Sequence, residues 1–220
     1  MKRVPEPELM DDEEQARAYA EADFSEPNER FLELFRPLAP GGPFRALDLG
    51  CGPADITLAL ARAYPQARIQ GLDGAEAMLA FGRHALRADS ALAQRVELVC
   101  ERLPSPRLAR AGFDAVLSNS LLHHLKQPEV LWQTLRGCAR AGAAVLVMDL
   151  ARPGSPTAAD RLVAEYAADA PEVLRRDFRN SLFAAFTPDE VRAQLVDANL
   201  RGLSVAMVSD RHLAVSGRLD

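Results

Sequence analysis

Lysine is almost missing from this sequence: Lys2 and Lys126 are the two present among 26 basic residues, and all the others are arginine. That preference reads as genome composition, not as function. Cysteine is scarce too. Cys51, Cys100 and Cys138 make an odd count with no Cys-x-x-Cys pair, so neither a disulfide framework nor a zinc site is indicated. No apolar run reaches the ~20 residues that cross a bilayer, so no membrane insertion is expected. The opening stretch MKRVPEPELMDDEEQ turns acidic at once and has no apolar h-region, which is not the pattern of a secretory signal, and a cytoplasmic location follows by default. A basic excess is also lacking: 26 Lys and Arg stand against 31 Asp and Glu, giving a net charge of −5 and an isoelectric point near 5.5. General nucleic-acid binders show a basic face and a high isoelectric point, so bulk DNA or RNA is not an expected partner. No internal repeat or low-complexity linker interrupts the chain.

What is present is an ordinary globular composition, 48% hydrophobic and 26% charged over 220 residues, enough for one domain with a full core. Residues 7–21 and 27–37 read as two helices, the second opened by Ser25 with Pro27 just inside it. Short apolar runs then begin at Arg45–Leu49, Arg68–Leu72, Val96–Cys100, Phe113–Ser118 and Ala143–Leu150. Helical patterns at 55–64, 75–88 and 128–140 lie between most of them. Continuous apolar runs alternating with helices predict a parallel sheet covered on both faces. Residues 156–180 read as helical with breaks at Pro156 and Pro171. Thr187-Pro188-Asp189-Glu190 is a capping box that opens a helix ending near Asn199. Two β-like runs, Leu203–Ser209 and His212–Ser216, joined tightly at Asp210-Arg211, predict an antiparallel hairpin.

The strongest chemical signal is Ala46-Leu47-Asp48-Leu49-Gly50-Cys51-Gly52-Pro53-Ala54-Asp55, an apolar strand running into a glycine turn and then a helix. Glycine is needed where a ligand approaches the backbone closely. Asp73, at the end of the next strand and 21 positions after Gly52, is placed to accept both hydroxyls of a ribose. The pair points to an adenosine-containing ligand across the strand ends. A dinucleotide fold wants Gly-x-Gly-x-x-Gly and a helix start left bare for pyrophosphate. Asp55 occupies that spot here, which disfavours NAD and FAD. A ligand carrying a sulfonium and an ammonium suits a turn lined by Asp48 and Asp55, and the charge pattern favours S-adenosylmethionine.

At this point the sequence resembles the class I S-adenosylmethionine-dependent methyltransferases, in the broad branch that includes ubiquinone and menaquinone biosynthesis enzymes. The matching stretches are LDLGCGPAD at 47–55, LDGAEAML at 72–79, FDAVLSNSLLHHL at 113–125, VLVMDLARP at 145–153 and FTPDEVRAQLVDANL at 186–200. The resemblance implies a doubly wound α/β fold with seven strands, mostly parallel, and strand 7 antiparallel. It divides the chain into a helical lid (1–40), a cofactor-binding core (41–150), an acceptor-pocket insertion (151–186) and a C-terminal helix and hairpin (187–220), all within one domain. Gly50 and Gly52 are expected under the methionine part of S-adenosylmethionine, with Asp48 near its amino group, Asp73 on the ribose and Met78 against the adenine. Cys100 and Glu101 are expected at the adenine edge, and Asn119 at the methionine end. Among Tyr19, Asp23 and Phe24, Tyr19 is the lid residue expected over the cofactor. Two departures stand out. Ala54 replaces the third glycine, and the acid after strand three is present as Glu101 only with a register shift.

Other residues are candidates for the acceptor side. His123 and His124 are candidate bases, since an imidazole beside the sulfonium takes a proton from an acceptor atom. Two adjacent side chains at a helix start point in different directions, so packing for one and cleft lining for the other is the alternative. Arg152, just past the fifth strand, and Arg179 are expected to hold an anionic group on the acceptor, with Phe178 beside them. Methyl transfer is an in-line displacement in which an enzyme supplies proximity, alignment and exclusion of water, so no triad or metal cluster is required. The reading is a methyltransferase acting on a small molecule. The alternatives are a tRNA- or protein-modifying methyltransferase and a catalytically silent S-adenosylmethionine-binding subunit. The acceptor, the accepting atom and the oligomeric state are not legible.

Overall fold

The computed structural model describes residues 1–6, 11–108 and 111–220. Two helices, α1 (Glu13–Glu21) and α2 (Ser25–Phe35), precede β1 (Arg45–Leu49), α3 (Asp55–Ala63), β2 (Arg68–Asp73), α4 (Glu76–Ala88), the single-turn α5 (Ser90–Ala93) and β3 (Val96–Cys100). There follow β4 (Phe113–Asn119), α6 (Glu129–Cys138), β5 (Ala139–Leu150), α7 (Pro156–Tyr166), α8 (Glu172–Ala184), α9 (Pro188–Asp197), β6 (Leu203–Met207) and β7 (His212–Arg218). The strands form one sheet in the order β3-β2-β1-β4-β5-β7-β6. β1 to β5 run parallel, and β7 is antiparallel to both β5 and β6.

Burial follows position in the sheet. β1, β4 and the second half of β5 are buried residue after residue, while the edge strands β3 and β6 expose most of theirs. Central strands covered on both faces need apolar side chains at every position. One core layer joins Trp132, Leu131 and Leu135 of α6 to Val116, Val145 and Val191. The other joins Phe31 and Phe35 of α2 to Leu58 and Leu60 of α3 and Leu117 and Leu146 of the sheet.

Several expected boundaries move. α6 stops at Cys138 and β5 begins at Ala139; residues 140–142 are exposed and polar or small, so no apolar run marks them. Ser25 is the first residue of α2, not its cap, and its N–H is taken by Asp23 Oδ1 at 2.9 Å. Pro156 opens α7 behind the Ser155 cap, and Pro171 precedes α8. The capping box at Thr187 and Glu190 forms in full. The hairpin turn is longer than two residues, because Val208 N–H already pairs with His212 C=O. Of the expected helix at 7–21, residues 7–10 lie outside the described residues, and the helix begins at Glu13.

Among the described residues, no helix is long and apolar enough to cross a membrane.

Candidate active site

The ends of β1, β2 and β4 open onto a cavity of about 1000 Å³ that also reaches α1, α2, α8 and the β6–β7 turn. Its floor is the turn after β1. Gly50 has φ +70, and the N–H groups of Gly50 and Cys51 both donate to Leu72 C=O, at 2.8 and 3.1 Å. A Cβ on Gly50 would lie 2.8 Å from the Leu121 side chain, so glycine is required both for conformation and for space. Gly52 has φ +53, with the Met78 methyl 3.4 Å from where its Cβ would be. Ala54, where the resemblance implies a third glycine, keeps the same left-handed geometry at φ 71. It carries the strain of a Cβ there.

Asp73 ties this turn to the next one. Its Oδ2 accepts from Gly52 N–H and its Oδ1 from Ala75 N–H, each at 2.8 Å. Gly74 N–H adds a third backbone contact, and a carboxylate has about four acceptor positions, so Asp73 keeps acceptor capacity for a ligand hydroxyl. Asp48, Asp55 and Glu101 line the same cavity, giving it four carboxylates around the turn. Met78 is buried against Ala75 and Ala16, with Tyr19 alongside. Tyr19 stacks on Phe24 with ring centroids 4.6 Å apart. Burial, reinforced by the charges of Asp55, Asp149 and Asp73, raises the Tyr19 hydroxyl and keeps it a neutral phenol. Asn119 lines the cavity with Oδ1 buried and unpartnered, and Glu101 Oε2, buried without a hydrogen bond, has Arg107 Nε 3.8 Å away. These acceptors facing an acid-lined floor fit a ligand with an ammonium, a sulfonium and a ribose. Asp48, Gly50, Gly52, Asp73, Met78, Glu101, Asn119 and Tyr19 are thus brought to one cavity. Cys100 is not: it is exposed, with its thiol toward Gly74 C=O.

Asp48 carries a consequence. It is 1% exposed, and burial pushes its carboxyl up to about 7, against a 2.6 Å hydrogen bond from Thr57 Oγ1 and with the Asp73 charge adding to the rise. A carboxyl raised on folding stabilises the protein below the ordinary carboxylate range and loses that contribution as pH climbs to its folded value. The ligand-free protein is therefore expected to lose stability between about pH 4 and about pH 7, at up to about 1.4 kcal/mol per pH unit from this group. Urea unfolding at several pH values should show the slope flattened in Asp48→Asn, whose amide oxygen still accepts from Thr57. An unchanged slope would remove this assignment.

The far end of the cavity is built from distant segments. His123 is buried, its Nδ1 2.6 Å from Asp149 Oδ1. Burial alone would push the imidazole down, but the Asp149 carboxylate outweighs it and holds His123 above its ordinary value. His124 stacks beside it, ring centroids 4.1 Å apart, and also lines the cavity. Residues 1–6 have no regular secondary structure and lie against α8 and the end of β4: Val4 N–H donates to Phe183 C=O, and Arg3 donates to the carbonyls of Ala184, His123 and Leu125. Glu6 accepts from Ser181 Oγ at 2.9 Å. Gln15 of α1 donates to Asp177 of α8 at 2.7 Å, so α1 spans from α4 to α8.

Two expected acceptor contacts are corrected. Arg152 points away from the cavity: it donates to Ala185 C=O and pairs with Glu190 at 2.6 Å, tying β5 to the capping box of α9. Arg179 pairs with Asp160 on α7 and covers the Phe183 ring, while its neighbour Phe178 does line the cavity. Successive helix positions lie about 100° apart, so the two side chains do not share a face. Arg102, Lys126 and, in the hairpin turn, Arg211 line the cavity without having been expected there. Arg211 lies 3.3 Å over the Tyr166 ring and bridges Glu26 and Asp210. Next to it, His212 is pushed down to about 4 by burial and then by Arg211. Glu6, Arg3, Ser181 and Arg211 carried no local sequence signal; each acts through tertiary placement alone.

A family model described as a methyltransferase domain matches residues 46–143. The chain is 30% identical over 125 residues to the ubiquinone/menaquinone biosynthesis C-methyltransferase UbiE of Syntrophotalea carbinolica, covering 57% of this chain and 52% of that protein. It is 32% identical over 140 residues to the trans-aconitate 2-methyltransferase of Methylobacterium radiotolerans, covering 63% and 50%. The chain thus spans about half the length of these curated relatives. Among solved structures, a SAM-dependent methyltransferase of Aquifex aeolicus superposes with a TM-score of 0.69 at 15% identity, over 95% of this chain and 99% of that one. The plantazolicin methyltransferase BamL, solved with a triazolic desmethylPZN analog and SAH, superposes with a TM-score of 0.70 at 12% identity, over 93% and 91%. The structural likenesses establish the fold, and the methyltransferase-domain match spans the glycine turn and the strands beside it.

Proposed function

We propose that this protein transfers the methyl group of S-adenosylmethionine to a small molecule. The observation that carries the reading is one continuous cavity, running from the Asp48–Asp73 floor to a partly apolar end walled by Tyr166, Leu174 and Phe178. At about 1000 Å³ it lies at the upper end of the usual range for small-ligand pockets. When bound, S-adenosylmethionine supplies an electrophilic methyl carbon on a positively charged sulfur. Asp73 would hold the ribose, Asp48 and Asn119 the amino-acid end, and Met78 and Tyr19 the adenosine face. Closure by α1 and α2 would exclude water and align the acceptor. His123 and His124 stand at the far end of the cavity, His123 held by Asp149 at Nδ1 and facing Glu6 with Nε2. A cytoplasmic location accords with three cysteines that are all unpaired, as a reducing compartment permits.

The reading is tested by ligand-induced stabilisation followed by transfer. S-adenosylmethionine and its demethylated product are expected to raise the melting temperature at submillimolar concentration, as a ligand specific for the folded state must, while NAD and FAD leave it unchanged. Incubation with methyl-labelled cofactor and a metabolite extract should then label a small molecule. Stabilisation by NAD and by neither adenosyl compound would sink the proposal.

A further inference from the structure

We propose that Glu6, His123 and His124 form a site for a divalent transition metal at the acceptor end of the cavity, with Asp149 orienting His123 from behind. The donor atoms of the three side chains lie within 4.8 Å of one another. Glu6 Oε1 stands 3.4 Å from His123 Nε2 and 3.3 Å from His124 Nδ1. Those spacings are long for a charge-assisted hydrogen bond, which runs about 2.7–2.9 Å. They match a metal's coordination edge: bonds of about 2.0–2.1 Å at a tetrahedral angle put neighbouring donors about 3.3–3.4 Å apart.

The surroundings complete the pattern. His123 Nδ1 is engaged by Asp149 at 2.6 Å, which leaves Nε2 as the metal-facing nitrogen and reproduces the carboxylate–histidine–metal arrangement. The same Glu6 oxygen accepts from Ser181, the kind of outer hydrogen bond that fixes a ligating carboxylate. Asp149 and Asp177 add negative charge around Glu6, and His123 and Asp149 are almost fully buried. Two imidazole nitrogens and one carboxylate oxygen suit a borderline ion such as zinc better than magnesium or calcium. Because Glu6 belongs to the segment 1–6, the ion would fasten that segment to the end of β4.

The site is distinct from the methyl-transfer chemistry and is tested without cofactor. The full chain, stripped with chelator, is titrated with cobalt(II) and zinc(II) at about pH 8, where protons compete least for the imidazoles. Visible cobalt absorption and calorimetry report stoichiometry and affinity, and near-ultraviolet circular dichroism confirms folding. One equivalent per chain is expected, weakened about tenfold or more in both Glu6→Gln and His124→Ala, since even loss of an outer partner costs that much. Neither substitution touches the buried core, so both variants should fold. Binding well below one equivalent overturns the proposal. So does one equivalent whose affinity survives either substitution, or a cobalt spectrum showing thiolate ligation.

Discussion

Replacing Asp73 by alanine is expected to weaken binding of S-adenosylmethionine about a hundredfold or more while the protein stays folded. A hydrogen bond to a charged group contributes about 1.5–3 kcal/mol, and the acceptor capacity left on Asp73 would offer such bonds to the ribose hydroxyls. Together they correspond to a factor of about a hundred upward in affinity. The substitution also frees Gly52 N–H and Ala75 N–H, now held at 2.8 Å, which loosens the glycine turn and adds to the loss. Neither main core layer includes Asp73, so the fold should survive. Calorimetry on the variant, with circular dichroism as the check on folding, measures the effect. Unchanged affinity in a folded Asp73→Ala protein would mean that the ribose is held elsewhere.

Removal of residues 1–24 is expected to lower turnover about a hundredfold or more, the cost of misplacing reacting groups by about an ångström. That stretch supplies Tyr19 and Phe24 to the cavity wall, the α1 bridge from α4 to α8, and the Arg3 contacts that hold the backbone of His123 and Leu125. Among the described residues, the two sheet-flanking cores contain none before Phe31, so the truncated protein should keep its sheet and bind cofactor, though less tightly. Tyr19→Ala is the milder companion and should show the same direction of change in a fully folded chain. Steady-state kinetics beside a thermal melt separates lost closure from lost stability. A folded, fully active truncation would refute the role assigned to this wall.

The parts of the molecule that could be read from sequence are those specified by local pattern. β1 and β4 were legible to within a residue because strands buried on both faces must be apolar throughout, and the edge strand β3 because its short apolar run is bounded by polar residues. Asp73 and the glycine turn were legible because the spacing between two strand ends is set by one intervening helix. The Thr187 capping box was legible because its partners lie three residues apart. Arg152 was not, although Glu190, its partner, belongs to that same visible motif. An arginine at a strand end looks alike whether it faces a ligand or a neighbouring helix. Phe178 and Arg179 differ only by a helical rotation whose absolute phase depends on how α8 sits on α7. The meeting of Glu6 with His123 and His124 joins positions more than a hundred apart in the chain and leaves no periodic trace.

The reversal of β7 has a consequence for how such a molecule changes over generations. Because β7 runs against β5, with Leu150 beside His212, the start of β7, not its end, faces the cavity, and the turn carrying Arg211 arrives there. That far wall of the cavity is thus assembled from a leading segment, two pairs of helices and a hairpin turn, and none of these belongs to the parallel strands that shape the glycine turn. On the proposed reading, exchanges in those four pieces would alter what is accepted while the turn that holds the donor keeps its geometry. Selectivity and donor binding would then be separable within a single chain.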